Sequence, residues 1–237
     1  MRQPARLATA VSRPLRELWW LVGALALIIL LARHTPLDHA LTGLFYDPAA
    51  RQFPLRDQPF WAAIMHTGLK YLSVAVWFAL LLWWVSLRRR PSRQPLRRAI
   101  GFTLPVALLA SLTVSSLRAL SAHSCPWELN LFGGSADYFR FFDAVPLNPG
   151  SGRCAPSGHA ASGFVWLAGY VALRGVDRTA ALSALAFSLV LGALTGLTQI
   201  VRGAHFLSHV LLTAWICFAV AWLCDTVYKM WRRHRAG

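Results

Sequence analysis

The sequence predicts an all-α fold, a polytopic membrane bundle of about six transmembrane helices. Three observations carry that expectation. Of 237 residues, 56% are hydrophobic and only 14% are charged, which is too apolar for an ordinary soluble domain. The apolar residues collect in six runs, over about 18–33, 61–87, 99–117, 159–174, 179–200 and 205–225, each near the ~20 residues needed to cross about 30 Å of hydrocarbon. The basic residues, which set a net charge of +15, gather in short runs between those segments. A nucleic-acid binder would instead spread them over a folded face among exposed aromatics, so they read as topology signals and contacts to anionic headgroups.

The first run follows a leader carrying Arg2, Arg6, Arg13 and Arg16, and no small-residue cleavage site follows it. It is therefore expected to stay as an anchor rather than be removed as a signal peptide. The second run ends at "RRRPSRQPLRR", Arg88 to Arg98, a Pro-containing helix connector. After the third comes the longest polar connection, 118–158. Loops of that length are usually functional or disordered, and the aromatics of "DYFRFF", Asp137 to Phe142, argue against disorder. An interfacial helix or hairpin on the membrane is expected there. The fourth run is short; the fifth and sixth are of ordinary length. No internal repeat or linker divides the chain, so residues 1–237 form one domain, with basic cytoplasmic tails at 1–17 and 226–237.

With both termini inside, sixteen of the 24 Lys and Arg fall on the cytoplasmic side, as the positive-inside rule requires. The other side keeps Arg33, Arg51, Arg56, Lys70, Arg118, Arg140, Arg153 and Arg202. The last four lie in loops that also hold histidines, and insertion does not explain them.

Three stretches carry candidate chemistry. In "RCAPSGHAASG", Arg153 to Gly163, Ser157 is placed to cap a helix whose first N–H groups, at Gly158, His159 and Ala160, would bind an anion. The tripeptide Pro-Ser-Gly alone is also a common helix start, but His159 adds an ionisable group at the edge of a membrane span, a position that is rarely idle. In "VRGAHFLSHVL", Val201 to Leu211, His205 and His209 are four apart and share a face if helical, one turn after Arg202. They are passive polar residues, a metal-binding pair, or a nucleophile and its support beside an anion-holding arginine. The metal reading lacks the glutamate of HExxH in a chain with nine acidic residues. In "LRALSAHSCPWELNLFGG", Leu117 to Gly134, Arg118 either snorkels to headgroups or joins Arg153 and Arg202 as forks for phosphate oxygens.

Together these stretches resemble the signature of the type 2 phosphatidic acid phosphatases, integral membrane lipid phosphatases related to vanadium haloperoxidases. Their pattern is KxxxxxxRP, then PSGH, then SRxxxxxHxxxD. The middle motif is complete at Pro156, Ser157, Gly158 and His159. The third falls on Thr198 to His209, with His205 at the nucleophile position; the first falls on Arg118 to Pro126, with Arg118 in place of lysine. Cys125, Gln199 and His209 stand where the family has arginine, arginine and aspartate. His205 thus lacks the expected orienting carboxylate, a part left to His209, Gln199 or an aspartate folding over from Asp137 or Asp143.

The resemblance implies a two-step transfer without metal or other cofactor. His205 would attack phosphorus and His159 would protonate the leaving oxygen, while Arg118, Arg202, Arg153 and the amides around Ser157 and Gly158 hold the phosphate. It implies a lipid phosphate as partner, such as phosphatidic acid, phosphatidylglycerol phosphate, an isoprenyl diphosphate or a lipid A phosphate, met at the outer face of a cell inner membrane. A weakened relative that only binds or carries such a lipid, and a metal-dependent hydrolase built on His205 and His209, stay open. No nucleic acid or protein partner is implied.

Cys125 and Cys154 flank the long outer loop, where an oxidising exterior would allow a bridge; their separation in space is not in the sequence. Cys217 and Cys224 read as helix-packing residues. His66 with Lys70 near the outer end of the second run reads as structural before it reads as a headgroup contact, for want of a motif.

Overall fold

The computed structural model describes residues 4–235, with side chains from residue 15 onwards. Arg2 of the basic leader lies outside the described residues, as do the side chains of Arg6 and Arg13. Helix α1 (Pro4–His34) is followed by the short α2 (Leu37–Gly43). The second span starts as a π-helix, Phe60–Gly68, and runs into α3 (Leu69–Ser86). The Arg/Pro connector forms two single 3-10 turns, Leu87–Arg89 and Pro91–Arg93, before α4 (Gln94–Leu120). Then come α5 (Ala161–Phe164), α6 (Leu167–Leu173), α7 (Arg178–Val201) and α8 (Leu207–His234). Five helical stretches are long and apolar enough to cross a membrane, and Ala161–Leu173 is a shorter sixth. The described residues contain no strand.

The long outer connection differs from the expected interfacial helix. It carries only two single 3-10 turns, Pro126–Glu128 and Asn130–Phe132. Gly133, Gly150, Gly152 and even Arg153 take positive φ in it. That many left-handed residues favour a folded loop over a continuous helix.

The shortest span is the centre of the bundle. Residues Ala160, Ala161 and Gly163 through Val171, except Tyr170, are buried, so this segment faces protein on all sides rather than lipid. Its helix breaks at Val165 and Trp166, which frees carbonyls that apolar surroundings cannot satisfy. Hydroxyls from neighbouring helices do so. Ser73 of α3 donates to the Ser162 carbonyl (2.6 Å) and Ser188 of α7 donates to the Gly163 carbonyl (2.9 Å). The Trp166 indole in turn donates to Ser73 (3.0 Å).

Close approach is permitted by missing side chains. A Cβ on Gly163 would stand 2.1 Å from the Gly192 backbone nitrogen, and one on Gly192 would stand 2.4 Å from the Phe164 ring. Gly192 and Gly196 make a small-xxx-small face on α7, the usual device for helix contact in lipid. Around this centre, α4 turns in Ile100, Leu104, Ala107, Ala110 and Val114, a three-to-four-residue spacing that marks one helical face. The opposite surfaces, such as Leu82 (71% exposed) and Trp20 (75% exposed), are apolar and lipid-facing.

One end of the bundle is tied by ions. Arg174, just after α6, pairs with Glu17 of α1 (3.0 Å) and Asp225 of α8 (2.8 Å), and Lys229 joins Asp225 (2.6 Å). The Trp222 indole donates to Glu17 (2.9 Å).

Gly163→Ala and Gly192→Ala are expected to destabilise the detergent-solubilised protein by about 1–3 kcal/mol or more through overpacking. Gly23→Ala, with nothing within 4 Å of the added carbon, is expected to be neutral. Melting temperatures of the three variants check this, and equal values would refute the close packing of α5 on α7.

Candidate active site

The histidine-bearing loops meet at the end of the bundle opposite the Arg174 cluster. Arg118 lies in the last turn of α4. The chain then folds over the bundle and returns beside itself, with the Arg153 N–H donating to the Ser121 carbonyl (2.7 Å) and the Cys154 N–H to the His123 carbonyl (2.9 Å). A disulfide joins Cys125 to Cys154, so the pairing that the sequence left open is present.

Ser157 is fully buried and clamped to α8. Its N–H donates to the His209 carbonyl (3.2 Å), and its own carbonyl accepts from the Thr213 hydroxyl (3.0 Å). Its hydroxyl accepts from the Ala160 N–H (3.4 Å), but it closes a turn over 158–160 and does not cap the helix as the sequence suggests, since the N-cap position falls at Ala160. The helix after that turn has only four residues before the break, so the dipole behind the turn is small. What remains for an anion is the N–H groups of Gly158 and His159, which have no acceptor among the described residues. Gly158 also lets Arg118 lie against the backbone, since a Cβ there would stand 3.3 Å from Arg118 Cδ.

His205 is not on a helix. Arg202 ends α7, and Gly203 turns with φ 69° before α8 begins at Leu207. A side chain at Gly203 would meet the Phe53 ring at 2.4 Å, so glycine is required twice over. The expected shared face of His205 and His209 is therefore replaced by a turn that packs the two rings edge to face, with centroids 5.9 Å apart. Arg202 likewise belongs to the end of α7 rather than to the helix of His209. The Gln199 carbonyl accepts from the N–H groups of Ala204 (2.8 Å) and His205 (3.3 Å) and holds the turn closed.

His159 and His205 both sit in turns outside the membrane-spanning helices. His159 is held down to about 3, first by burial and then by the positive influence of His66, Arg202 and Lys70, against the Met65 carbonyl. His205 is held down to about 3 by burial first and by Arg118 second, with His159 and His66 adding to this. Arg118, His159 and His66 thus bear on His205, while His66, Arg202 and Lys70 bear on His159, so the two rings share His66 as a neighbour. Arg153 is not among the charges acting on either ring, and its side chain is exposed.

The His205 support differs from the expected carboxylate. Asp137 accepts from Asn130 (3.2 Å) and Asp143 pairs with Arg33 (3.0 Å), so neither folds onto the ring. The polar backbone neighbour of His205 is instead Cys154, which favours the protonated ring as a carbonyl acceptor does. His205 Nδ1 also lies 3.4 Å from the Cys154 sulfur. Behind His209, a cavity of about 20 Å³, lined among others by His123, Ser124 and Asp38, meets the loop aromatics Phe139 and Phe141. Asp38 holds α8 there, accepting from the Ser208 N–H (2.8 Å) and hydroxyl (2.5 Å).

Sequence reasoning undervalued His66. Its ring stacks on His159 with centroids 4.2 Å apart, delivered by the π-helical start of the second span. The only signal for it was the His66 and Lys70 pair on one face. A metal pair at His205 and His209 fares less well. Their ring nitrogens and the Cys154 sulfur lie within 4.8 Å of one another, but that sulfur is bonded to Cys125 and offers no thiolate. Two imidazoles without a third anionic ligand are a poor zinc set.

Fold and site together define a multi-pass membrane protein that gathers histidines and guanidinium groups at one end of a helical bundle. The PAP2 superfamily model matches residues 100–233, more than half of the chain, and the chain belongs to that superfamily. Membership points to phosphatase activity on lipid-like phosphates. No curated protein and no solved structure matches the chain.

Because Cys217 and Cys224 are the free cysteines, the unfolded protein should titrate two thiols without reductant and four with it. Four in both cases would remove the bridge. Replacing Cys125 and Cys154 by Ser is expected to cost about 2–4 kcal/mol of stability, read as a lower melting temperature in detergent.

Proposed function

We propose that the protein is a lipid phosphatase of the inner membrane that hydrolyses a phosphomonoester or diphosphate through a phosphohistidine, without metal. The observation that carries this reading is two depressed imidazoles in one neighbourhood, His205 under the influence of Arg118 and His159, and His159 under that of Arg202. His205 is neutral at physiological pH, as a nucleophile must be. With Nδ1 turned to the Cys154 sulfur, Nε2 is the nitrogen left to attack phosphorus. His159 Nε2 is buried and has no hydrogen-bond partner among the described residues, which leaves it the nitrogen able to give a proton to a leaving oxygen.

The steps balance. The His205 lone pair forms the P–N bond as the bond from phosphorus to the lipid oxygen breaks, and His159 gives that oxygen its proton. Water, deprotonated by the now neutral His159, then attacks phosphorus as the P–N bond breaks, releasing phosphate and restoring neutral His205 and protonated His159. Arg118, Arg202 and the amides of Gly158 and His159 hold the equatorial oxygens as their charge redistributes. Gln199, buried with its amide nitrogen unpartnered among the described residues, supplies a neutral donor where the family has arginine. The basic connector and tails favour an orientation with this end facing the periplasm. Arg153 is left to headgroup contact.

His159 must be protonated to act, yet alone it is held near 3. A bound phosphate dianion raises it, because an opposite charge favours the charged form. Turnover therefore falls as pH rises through the His159 value in the complex. A second reading, binding without turnover, is favoured by the carbonyl that stands in for the carboxylate at His205.

With a panel of lipid phosphates in detergent, phosphate release is expected to survive chelator and to stop with vanadate. His205→Ala should lower kcat about a thousandfold or more, and His159→Gln about 10²- to 10⁴-fold with loss of the alkaline limb. Tight lipid binding with no turnover by the native chain would establish the second reading, and loss with chelator restored by zinc would overturn the metal-free one.

A further inference from the structure

The end of the bundle away from the histidines holds a second cavity, of about 830 Å³, between α4, α6 and α8. Its origin is the short central span. Helix α6 stops at Leu173, and the Arg174 to Asp225 bond sets Asp225 at the same level. Helix α8 runs on for nine further residues to His234, roughly 13 Å at about 1.5 Å per residue. On the other side α4 has already begun at Gln94. A gap is left beneath the end of α6, flanked by two long helices.

The chemistry of that gap is graded. Its deep walls are apolar, including Phe102, Val106, Val171 and Ala172. Its mouth carries Arg98, Arg232 and Arg233, all exposed. Lys229 is engaged by Asp225, but these three arginines have no carboxylate partner among the described residues. Helix α4 runs from the mouth at Arg98 to the deep end at Val106, so the apolar end points into the hydrocarbon and the cations lie at the surface. The volume falls in the range of about 300–1,000 Å³ usual for ligand sites.

We propose that this groove binds an anionic two-chain phospholipid of the leaflet opposite the histidine site, with an acyl chain along Phe102, Val106 and Ala172 and the phosphate among Arg98, Arg232 and Arg233. Positive charge at a membrane face is general and by itself needs no pocket. Here the cations ring the open end of an apolar cavity between helices, and an anionic amphiphile complements both parts at once. A zwitterionic lipid fits the walls but not the charge, and a soluble anion fits the charge but leaves the walls bare.

The test is native mass spectrometry of the whole protein in detergent, titrated with dioleoyl phosphatidylglycerol or dioleoyl phosphatidylcholine. Phosphatidylglycerol is a phosphodiester, so a phosphomonoesterase does not consume it. It should bind about tenfold or more tightly than phosphatidylcholine, since each surface cation contributes appreciably to anionic lipid binding. The triple variant Arg98→Gln, Arg232→Gln, Arg233→Gln should bring the two lipids within about twofold. Ala172→Phe, which fills the deep end and alters no charge, should weaken retention of phosphatidylglycerol, and Arg118→Gln should not. Equal binding of the two lipids by the native chain overturns the proposal. So does undiminished preference in the triple variant, or loss with Arg118→Gln alone, which would place the lipid at the histidine end.

Discussion

The constraint from which the rest of this structure follows is burial of most of a broken helix at the centre of a membrane bundle. Backbone polar groups in an apolar surrounding must find partners within the protein, and the break at Val165 and Trp166 leaves several in need. Ser73 and Ser188 answer them from two different helices, which sets the positions of α3 and α7 relative to the centre. Gly163 and Gly192 then bring α5 against α7 at a distance that no side chain would allow. Shortness, small residues and hydroxyl neighbours are one solution to one problem.

Both ends of the molecule inherit their chemistry from that centre. Because the central span is short, its beginning is a buried turn rather than an exposed helix start, and the Ser157 peptide is fastened to α8 at both its N–H and its carbonyl. His159 is thereby carried next to His66 and into the field that also bears on His205. At the other end the same shortness leaves Arg174 inside the bundle, where it must be paired. Glu17 and Asp225 meet it, tying α1 and α8 to the end of α6.

The layout and the main histidines were legible because they rest on local signals. Run length against bilayer thickness marks the six spans, and the complete middle motif marks His159. What was not legible depends on contacts between distant residues. The turn at Gly203 takes His205 off the helix that a spacing of four suggests, and it exists because Phe53, some 150 residues earlier, fills the space a side chain would need. His66 owes its place to a π-helical turn that no periodicity announces. Asp38 reaches Ser208 across the sequence, whereas Asp137 and Asp143, nearer in sequence to the motifs, are spent on Asn130 and Arg33. The long loop holds no longer helix because its positive-φ residues fold it back on itself, and the disulfide fastens that fold beside the site.

The exchange of a carboxylate for a backbone carbonyl beside His205 has a definite chemical meaning. A carboxylate holds the imidazole in one tautomer and also stabilises positive charge on the ring. A carbonyl does the first but does far less of the second, since it carries only a partial charge. In the proposed reaction the phosphorylated ring bears positive charge until water attacks, so weaker stabilisation raises that intermediate in energy. Its formation becomes harder and its hydrolysis easier. The guanidinium groups that hold the phosphate dianion must then supply more of the stabilisation during attack, and Arg118, pressed against Gly158, is the group placed to do so. The carbonyl itself is only as well placed as Cys154, which the bridge to Cys125 holds. A cystine thus takes part in the geometry of the proposed histidine nucleophile, and the position where the family has arginine is occupied by the residue that anchors its substitute support.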